Sequence, residues 1–196
     1  MTQNSQKSDS NAPNTSGVLA VEYQLDAKDR ITALNEEWNR FATGNGGEQM
    51  QAENLIGRSL HDFISGDVTK MFVNAMLQST RLTGKARTIQ YRCDSPQMKR
   101  YMAMEIAPLG QNGLVSRHWT IQEVKLPSAI SLMTAPRPDG IRIKRCSMCN
   151  RLSRNGGPVV EPEVASASGW FGEGLTQVIY FVCQDCQSAI KNKWGT

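Results

Sequence analysis

Two Cys-x-x-Cys pairs constrain this chain more than any other feature of it. Cys146-Ser147-Met148-Cys149 and Cys183-Gln184-Asp185-Cys186 stand on either side of residues 150–182. A Cys-x-x-Cys turn aims two sulfurs at one point. Two such turns complete the shell of a tetrahedral Zn2+, which takes thiolates at about 2.3 Å. The chain must therefore fold so that its two pairs meet. The first pair follows a short apolar segment at 141–143; the second follows a strand expected over 178–182 and opens a helix expected over 184–194. Cys146, Cys149, Cys183 and Cys186 are the candidate metal ligands, and one structural Zn2+ per chain is the favoured occupant. A redox dithiol pair and an iron–sulfur cluster remain open on the same residues. Catalytic zinc is disfavoured, because four thiolates leave no position for water.

Charge and compartment agree with a metal. The formal net charge is +4 with the thiols neutral, and four thiolates with one Zn2+ lower it to +2. Lys144, Arg145, Arg151, Lys191 and Lys193 flank the pairs and can offset the thiolates. Residues 1–18 are Ser, Asn, Thr and Gln with no apolar run, so they read as a disordered tail and not as a secretory leader. A cytoplasmic, bacterial protein with no membrane segment is the expectation, and a reducing compartment favours metal over disulfides. Residues 151–168 are poor in apolar side chains, so the metal is expected to hold a C-terminal module over 141–196. The fifth cysteine, Cys93, stands alone on an expected strand and reads as a buried, inert thiol.

Between tail and module, hydrophobic periodicity outlines a second unit over 19–125. Val21, Tyr23 and Leu25 alternate as a strand, and residues 31–34 give another. Asn35 is placed to cap a helix, with Glu36 and Glu37 in its first turn. Residues 67–83 form the longest expected helix, with Val68, Met71, Phe72, Ala75, Met76 and Leu82 on one face and Gly84 as its stop. Three strands follow at 87–93, 100–107 and 113–124. Their expected inward residues include Ile89 and Tyr91, then Met102, Met104 and Ile106, then Val115, Trp119 and Ile121. The fold class is α+β: a five-stranded antiparallel sheet with helices on one face, plus the small metal module. Residues 126–140, with Pro127, Pro136, Pro138 and Gly140, read as a linker.

Several local pieces carry a resemblance. Asp29-Arg30-Ile31-Thr32-Ala33-Leu34-Asn35 resembles the second strand and Asn-capped helix of PAS domains. Asn54-Leu55-Ile56-Gly57-Arg58-Ser59-Leu60 is similar to the step before their core helix. Tyr91-Arg92-Cys93-Asp94-Ser95-Pro96 with Lys99-Arg100 looks like a recurring feature of bacterial PAS-like regulators. The C-terminal part resembles the small two-pair cysteine tails that follow PAS or receiver domains. Trp170 fits that pattern, while Gln184 stands where such tails often carry proline. The resemblance implies sensing or protein–protein interaction, with homodimerisation through the PAS-like domain a further expectation. It fixes no ligand. Phe41, Phe72, Met76, Tyr91, Met104 and Trp119 are the candidate lining of a small-molecule pocket, with a filled core the favoured alternative. His61 and His118 read as surface or locally bonded residues.

The expected function is a non-catalytic signalling protein, a sensor or adaptor acting through a protein partner. Two histidines leave little acid–base machinery, and no nucleophile triad or phosphate loop is present in the sequence. Two alternatives stay open. Residues 137–154 carry six positive charges against Asp139, which would suit nucleic acid, although no aromatics are interleaved with them. A thiol/zinc redox switch would use the quartet itself.

Overall fold

The computed structural model describes residues 20–136, 140, 142–172 and 175–194, with residues 193 and 194 described by their backbone only. The expected tail at 1–18, Arg137, Pro138 and Asp139 of the linker and basic cluster, Ile141, and the Lys193 side chain lie outside the described residues.

Five strands build the first sheet: β1 (Val21–Leu25), β2 (Ile31–Leu34), β3 (Arg87–Arg92), β4 (Met98–Leu109) and β5 (Gly113–Lys125). All pairs are antiparallel, and the spatial order is β2-β1-β5-β4-β3. The helices α1 (Glu36–Gly44), α2 (Ala52–Leu55) and α3 (Asp67–Thr83) complete this α+β unit. The expected five-stranded sheet is therefore present. Asn35 caps α1 as its position predicts: its side chain accepts the Trp38 backbone N–H, and its amide donates to the Ala20 carbonyl.

The inward residues differ from expectation in two places. On α3 the buried positions are Met76, Leu77 and Thr80. Phe72 and Val73 are partly buried against the core, while Val68, Met71 and Leu82 are exposed. The buried row runs through 73, 76, 77 and 80, and Thr80 hides its hydroxyl by donating to the Met76 carbonyl. Apolar residues on α3 therefore form two stripes, and composition alone cannot choose between them.

On β5 the phase is inverted. Leu25, Tyr23 and Val21 pair with Leu114, Ser116 and His118. Tyr23 packs edge-on against Trp38 of α1, with ring centroids 6.0 Å apart, so this row faces the helices. His118 points inward, out of phase with the expected inward row of Val115, Trp119 and Ile121; of that row Val115 is buried all the same, Trp119 is half-buried and Ile121 is exposed. The β4 register shifts between Tyr101 and Met102, which sets Met102 opposite Thr120 and keeps it on the inner face with Tyr91.

A second sheet lies beyond. Its strands are β6 (Leu132–Thr134), β7 (Ile143–Cys146), β8 (Leu152–Arg154) and β9 (Thr176–Phe181), in the order β6-β9-β7-β8. β6 arises inside the stretch read as a linker and pairs in parallel with β9. The apolar-poor stretch holds β8 and α4 (Pro162–Ala167). Ile143, Leu152, Ala165 and Val178 form a small core of their own, with Trp170 packed on it. α5 (Gln184–Trp194) ends the described chain.

The two sheets share one apolar cluster. Cys146, Met148, Val182 and Cys183 belong to the same buried group as Tyr23, Leu25 and Leu77. Gly66, before α3, has φ +83°, and a Cβ there would meet the Tyr180 Cβ at 3.2 Å. A side chain here would be strained by the positive φ and would push β9 away by a few tenths of an ångström, so glycine suits this approach of α3 to β9.

Candidate metal centre and sheet cavity

The first cysteine pair is shaped by the end of β7. The Asn150 N–H donates to the Cys146 carbonyl at 2.9 Å, and the Cys146 N–H donates to the Arg151 carbonyl at 2.9 Å. Asn150 closes this turn with φ 58°, a left-handed conformation that asparagine tolerates better than most residues. The second pair joins β9 to α5, and the Cys183 N–H donates to Cys146 Sγ at 3.4 Å. Parallel pairing of β7 with β9, which sets Cys146 beside Phe181, brings the two pairs together.

All four sulfurs lie within 4.8 Å of one another. Cys146 Sγ is 3.9 Å from Cys186 Sγ, and Cys149 Sγ is 3.8 Å from Cys183 Sγ. A regular tetrahedron of thiolates about 2.3 Å from Zn2+ has edges of about 3.8 Å. Disulfide sulfurs stand about 2.05 Å apart. The donor set and its spacing fit a four-thiolate metal site.

Charge around the quartet is local. Arg151 Nε donates to Cys149 Sγ at 3.3 Å, and its Nη2 bonds Cys183 Sγ at 3.8 Å and the Asp185 carboxylate at 2.8 Å. Hydrogen bonds from Cys146 and Cys186 hold the Cys149 thiol well below the ordinary range, and Arg151 adds to this. Of the other flanking cations, Arg145 turns to Asn150 Oδ1 at 3.1 Å, while Lys144 and Lys191 are exposed.

A seam of ions and backbone bonds fastens the quartet to the first sheet. The Arg92 N–H donates to the Met148 carbonyl at 2.7 Å, and the Asn150 amide donates to the Arg92 carbonyl at 3.2 Å. The Arg92 guanidinium bonds Asp94 and reaches Glu161 Oε2 at 2.6 Å. Lys99 Nζ is 3.1 Å from the same Glu161 oxygen and also pairs with Glu163 of α4. Thr69 of α3 shares a hydrogen bond with Ser147. Arg92, Asp94 and Lys99, which the sequence marked only through the resemblance, therefore hold the second sheet on the first.

Arg92 sits between two residues that line a cavity of about 360 Å3 under α1. Phe41 and Tyr91, two of the expected pocket residues, line it. Phe72, Met76 and Met104 pack in the core instead, and Trp119 lines a neighbouring recess with Glu37 and Arg40. The cavity wall is completed by Tyr23, Trp38, Met50, Cys93, Met102 and His118 among others. Cys93 is half-buried, and burial pushes its thiol up.

His118 is the residue that sequence reasoning placed on the wrong face. Its Nδ1 is 2.9 Å from the Tyr91 hydroxyl and its Nε2 is 2.9 Å from Ser116 Oγ. Its ring stacks on Tyr23, with centroids 5.4 Å apart. Burial lowers its pKa to about 4, so the imidazole is neutral at pH 7. Burial raises the Tyr91 pKa, which keeps that phenol a donor. A signal existed: His118 shares the period-two row of Leu114 and Ser116. His61 is locally bonded, with Nε2 3.5 Å from Asp29, which Arg81 also holds at 2.6 Å.

No protein-family model matches the chain, and no curated protein matches it. Solved structures do. A sensory box sensor histidine kinase from Vibrio cholerae is 9% identical, with a TM-score of 0.40 over 53% of this chain and 82% of that one. The RpfR quorum-sensing receptor PAS domain of Cronobacter turicensis, solved in complex with C12:0, is 13% identical, with a TM-score of 0.40 over 53% of this chain and 94% of that one. A domain of an HTR-like protein from Haloarcula marismortui is 15% identical, with a TM-score of 0.38 over 53% of this chain and 98% of that one. Among the described residues, no helix is long and apolar enough to cross a membrane.

Proposed function

We propose that this chain is a non-catalytic regulatory protein, a PAS-like sensor or adaptor that acts through a protein partner and is braced by one structural Zn2+. Cys146, Cys149, Cys183 and Cys186 would hold the ion. Zinc bound by four thiolates supplies no open position for substrate, so its contribution is folding energy. The observation that carries the reading is the placement of Arg92. Its neighbours Tyr91 and Cys93 face the cavity, while its own N–H and carbonyl are bonded to the first cysteine turn. A change in the cavity can therefore reach the metal turn through three consecutive residues of one chain segment.

The basic cluster offers fewer cations to nucleic acid than its sequence count suggests. Arg145 and Arg151 are turned to Asn150 and to the thiols, which divides the run and leaves Arg142, Lys144 and Arg154 exposed. Three exposed cations among the described residues of the run would give only a short phosphate contact.

Elemental mass spectrometry of the purified chain tests the metal, with hydrogen exchange of the 87–93 segment as the second readout. About one zinc per chain is expected, lost in Cys149→Ser and Cys183→Ser together with protection of that segment. Absence of metal, with thiols that oxidise reversibly in pairs, would overturn the zinc reading and favour the redox switch.

A further inference from the structure

The chemistry of the cavity wall restricts what can enter it. Four aromatic rings (Tyr23, Trp38, Phe41 and Tyr91) and two methionines (Met50 and Met102) supply most of the contact surface. Aromatic faces and thioethers reward flat, polarizable molecules. The polar groups on the wall are largely committed to one another. Trp38 Nε1 donates to the Met50 carbonyl at 2.6 Å, and the Asn45 amide donates to the Phe41 carbonyl at 2.8 Å. The Tyr91 hydroxyl pairs with His118, whose other nitrogen pairs with Ser116.

No lysine or arginine lines the cavity among the described residues. A carboxylate entering it would lose its water and meet no lysine or arginine in return, so its desolvation goes uncompensated. The group best placed to supply a charge is the His118 ring. It sits between the Tyr91 and Ser116 hydroxyls with Tyr23 stacked on it, and no carboxylate lines the cavity among the described residues to favour its charged form. Its low proton affinity supports the same conclusion.

We infer that the cavity binds an uncharged aromatic or alicyclic molecule and rejects the corresponding carboxylate. This rests on the sensor reading above and names the class of molecule sensed.

The test uses the zinc-loaded full chain and the uncharged fluorescent probe N-phenyl-1-naphthylamine. The probe is displaced at pH 7.5 by a matched pair, naphthalene methanol and naphthoate. The expected result is probe binding, with the alcohol displacing it at a concentration about 100-fold or more below that of the carboxylate. Ala42→Phe fills the cavity from α1 and should abolish probe binding with zinc content unchanged. Met50→Trp serves the same purpose from the segment that follows α1 if Ala42→Phe does not fold. Equal displacement by acid and alcohol overturns the class of ligand and leaves the sensor reading standing. No probe binding to the folded, zinc-loaded chain overturns both the inference and ligand sensing, and leaves the adaptor reading. Probe binding that survives both filling variants places the probe elsewhere and overturns the inference.

Discussion

The backbone N–H of Arg92 donates to the carbonyl of Met148 at 2.7 Å, so the edge strand of the first sheet and the turn between the first two thiols share a hydrogen bond. Asn150 returns the contact by donating to the Arg92 carbonyl. These bonds hold the N–H and the C=O of one residue, and so the two peptide units on either side of Arg92, against the same turn. The cavity and the thiol quartet are thereby linked through the backbone of Arg92, whose neighbours Tyr91 and Cys93 line the cavity.

Asn150 has two jobs in that link, and they can be separated. Its amide bridges Arg92 and Arg145, and its backbone holds φ 58°. Asn150→Gly keeps the backbone freedom and loses both side-chain bonds, at a cost of about 1–2 kcal/mol. Asn150→Ala adds the left-handed strain, about 1 kcal/mol more. Urea unfolding of the zinc-loaded variants should rank wild type, then Gly, then Ala. Ala equal to or above Gly would show that the turn does not hold this conformation.

Glu161 is the shared acceptor of the seam, facing both Arg92 and Lys99. Its side chain is 36% exposed, while the Arg92 side chain is only 5% exposed. Glu161→Gln keeps the shape and removes the charge, which leaves two largely buried cations with fewer counter-charges. The expected loss is about 1–3 kcal/mol, below the full cost of breaking a buried pair because water reaches Glu161. Thermal unfolding at low and high salt checks it. A loss under about 0.5 kcal/mol would reduce the seam to an ordinary surface ion pair.

Arg151 donates to two of the four sulfurs and is itself held by Asp185. Groups that bond metal ligands from behind commonly contribute 10–100-fold in metal affinity. Arg151→Ala should weaken zinc binding by about tenfold, measured by competition with a chromophoric chelator at pH 7.5. Asp185→Asn should weaken it less, since it acts through Arg151. Unchanged affinity in Arg151→Ala would mean that the thiolates need no such support.

Much of this was legible in residue order. The longest helix, the Asn35 cap and both cysteine pairs follow from local chemistry: a period, a side-chain acceptor, a ligand spacing. What the residues could not reveal was non-local or inverted. β6 is three residues in a proline-bearing stretch, and its parallel partner lies about forty residues on, with no local signal of register. The β5 phase was misread because Val115, Trp119 and Ile121 are the more apolar row. The inner row instead carries Ser116 and His118, polar residues that satisfy one another beside a cavity. Hydrophobic alternation assumes a filled core, and it points the wrong way where the sheet lines a cavity.

That inner row makes the fold sensitive to acid. His118 has a folded pKa lowered to about 4, against an ordinary value near 6.5. Between those values the unfolded chain binds the proton and the folded chain does not, so stability rises with pH across this window. The neutral-ring contribution is present above pH 6.5 and is lost as the pH falls towards 4. It amounts to at most about 3 kcal/mol. His118→Gln keeps a donor and an acceptor but cannot gain the charge. Urea midpoints at pH 7 and pH 5 should diverge more in the wild type than in His118→Gln, after both are corrected for their own carboxylates by the common trend. Parallel pH profiles for the two proteins would show that the ring titrates freely, with water in the cavity solvating its charged form.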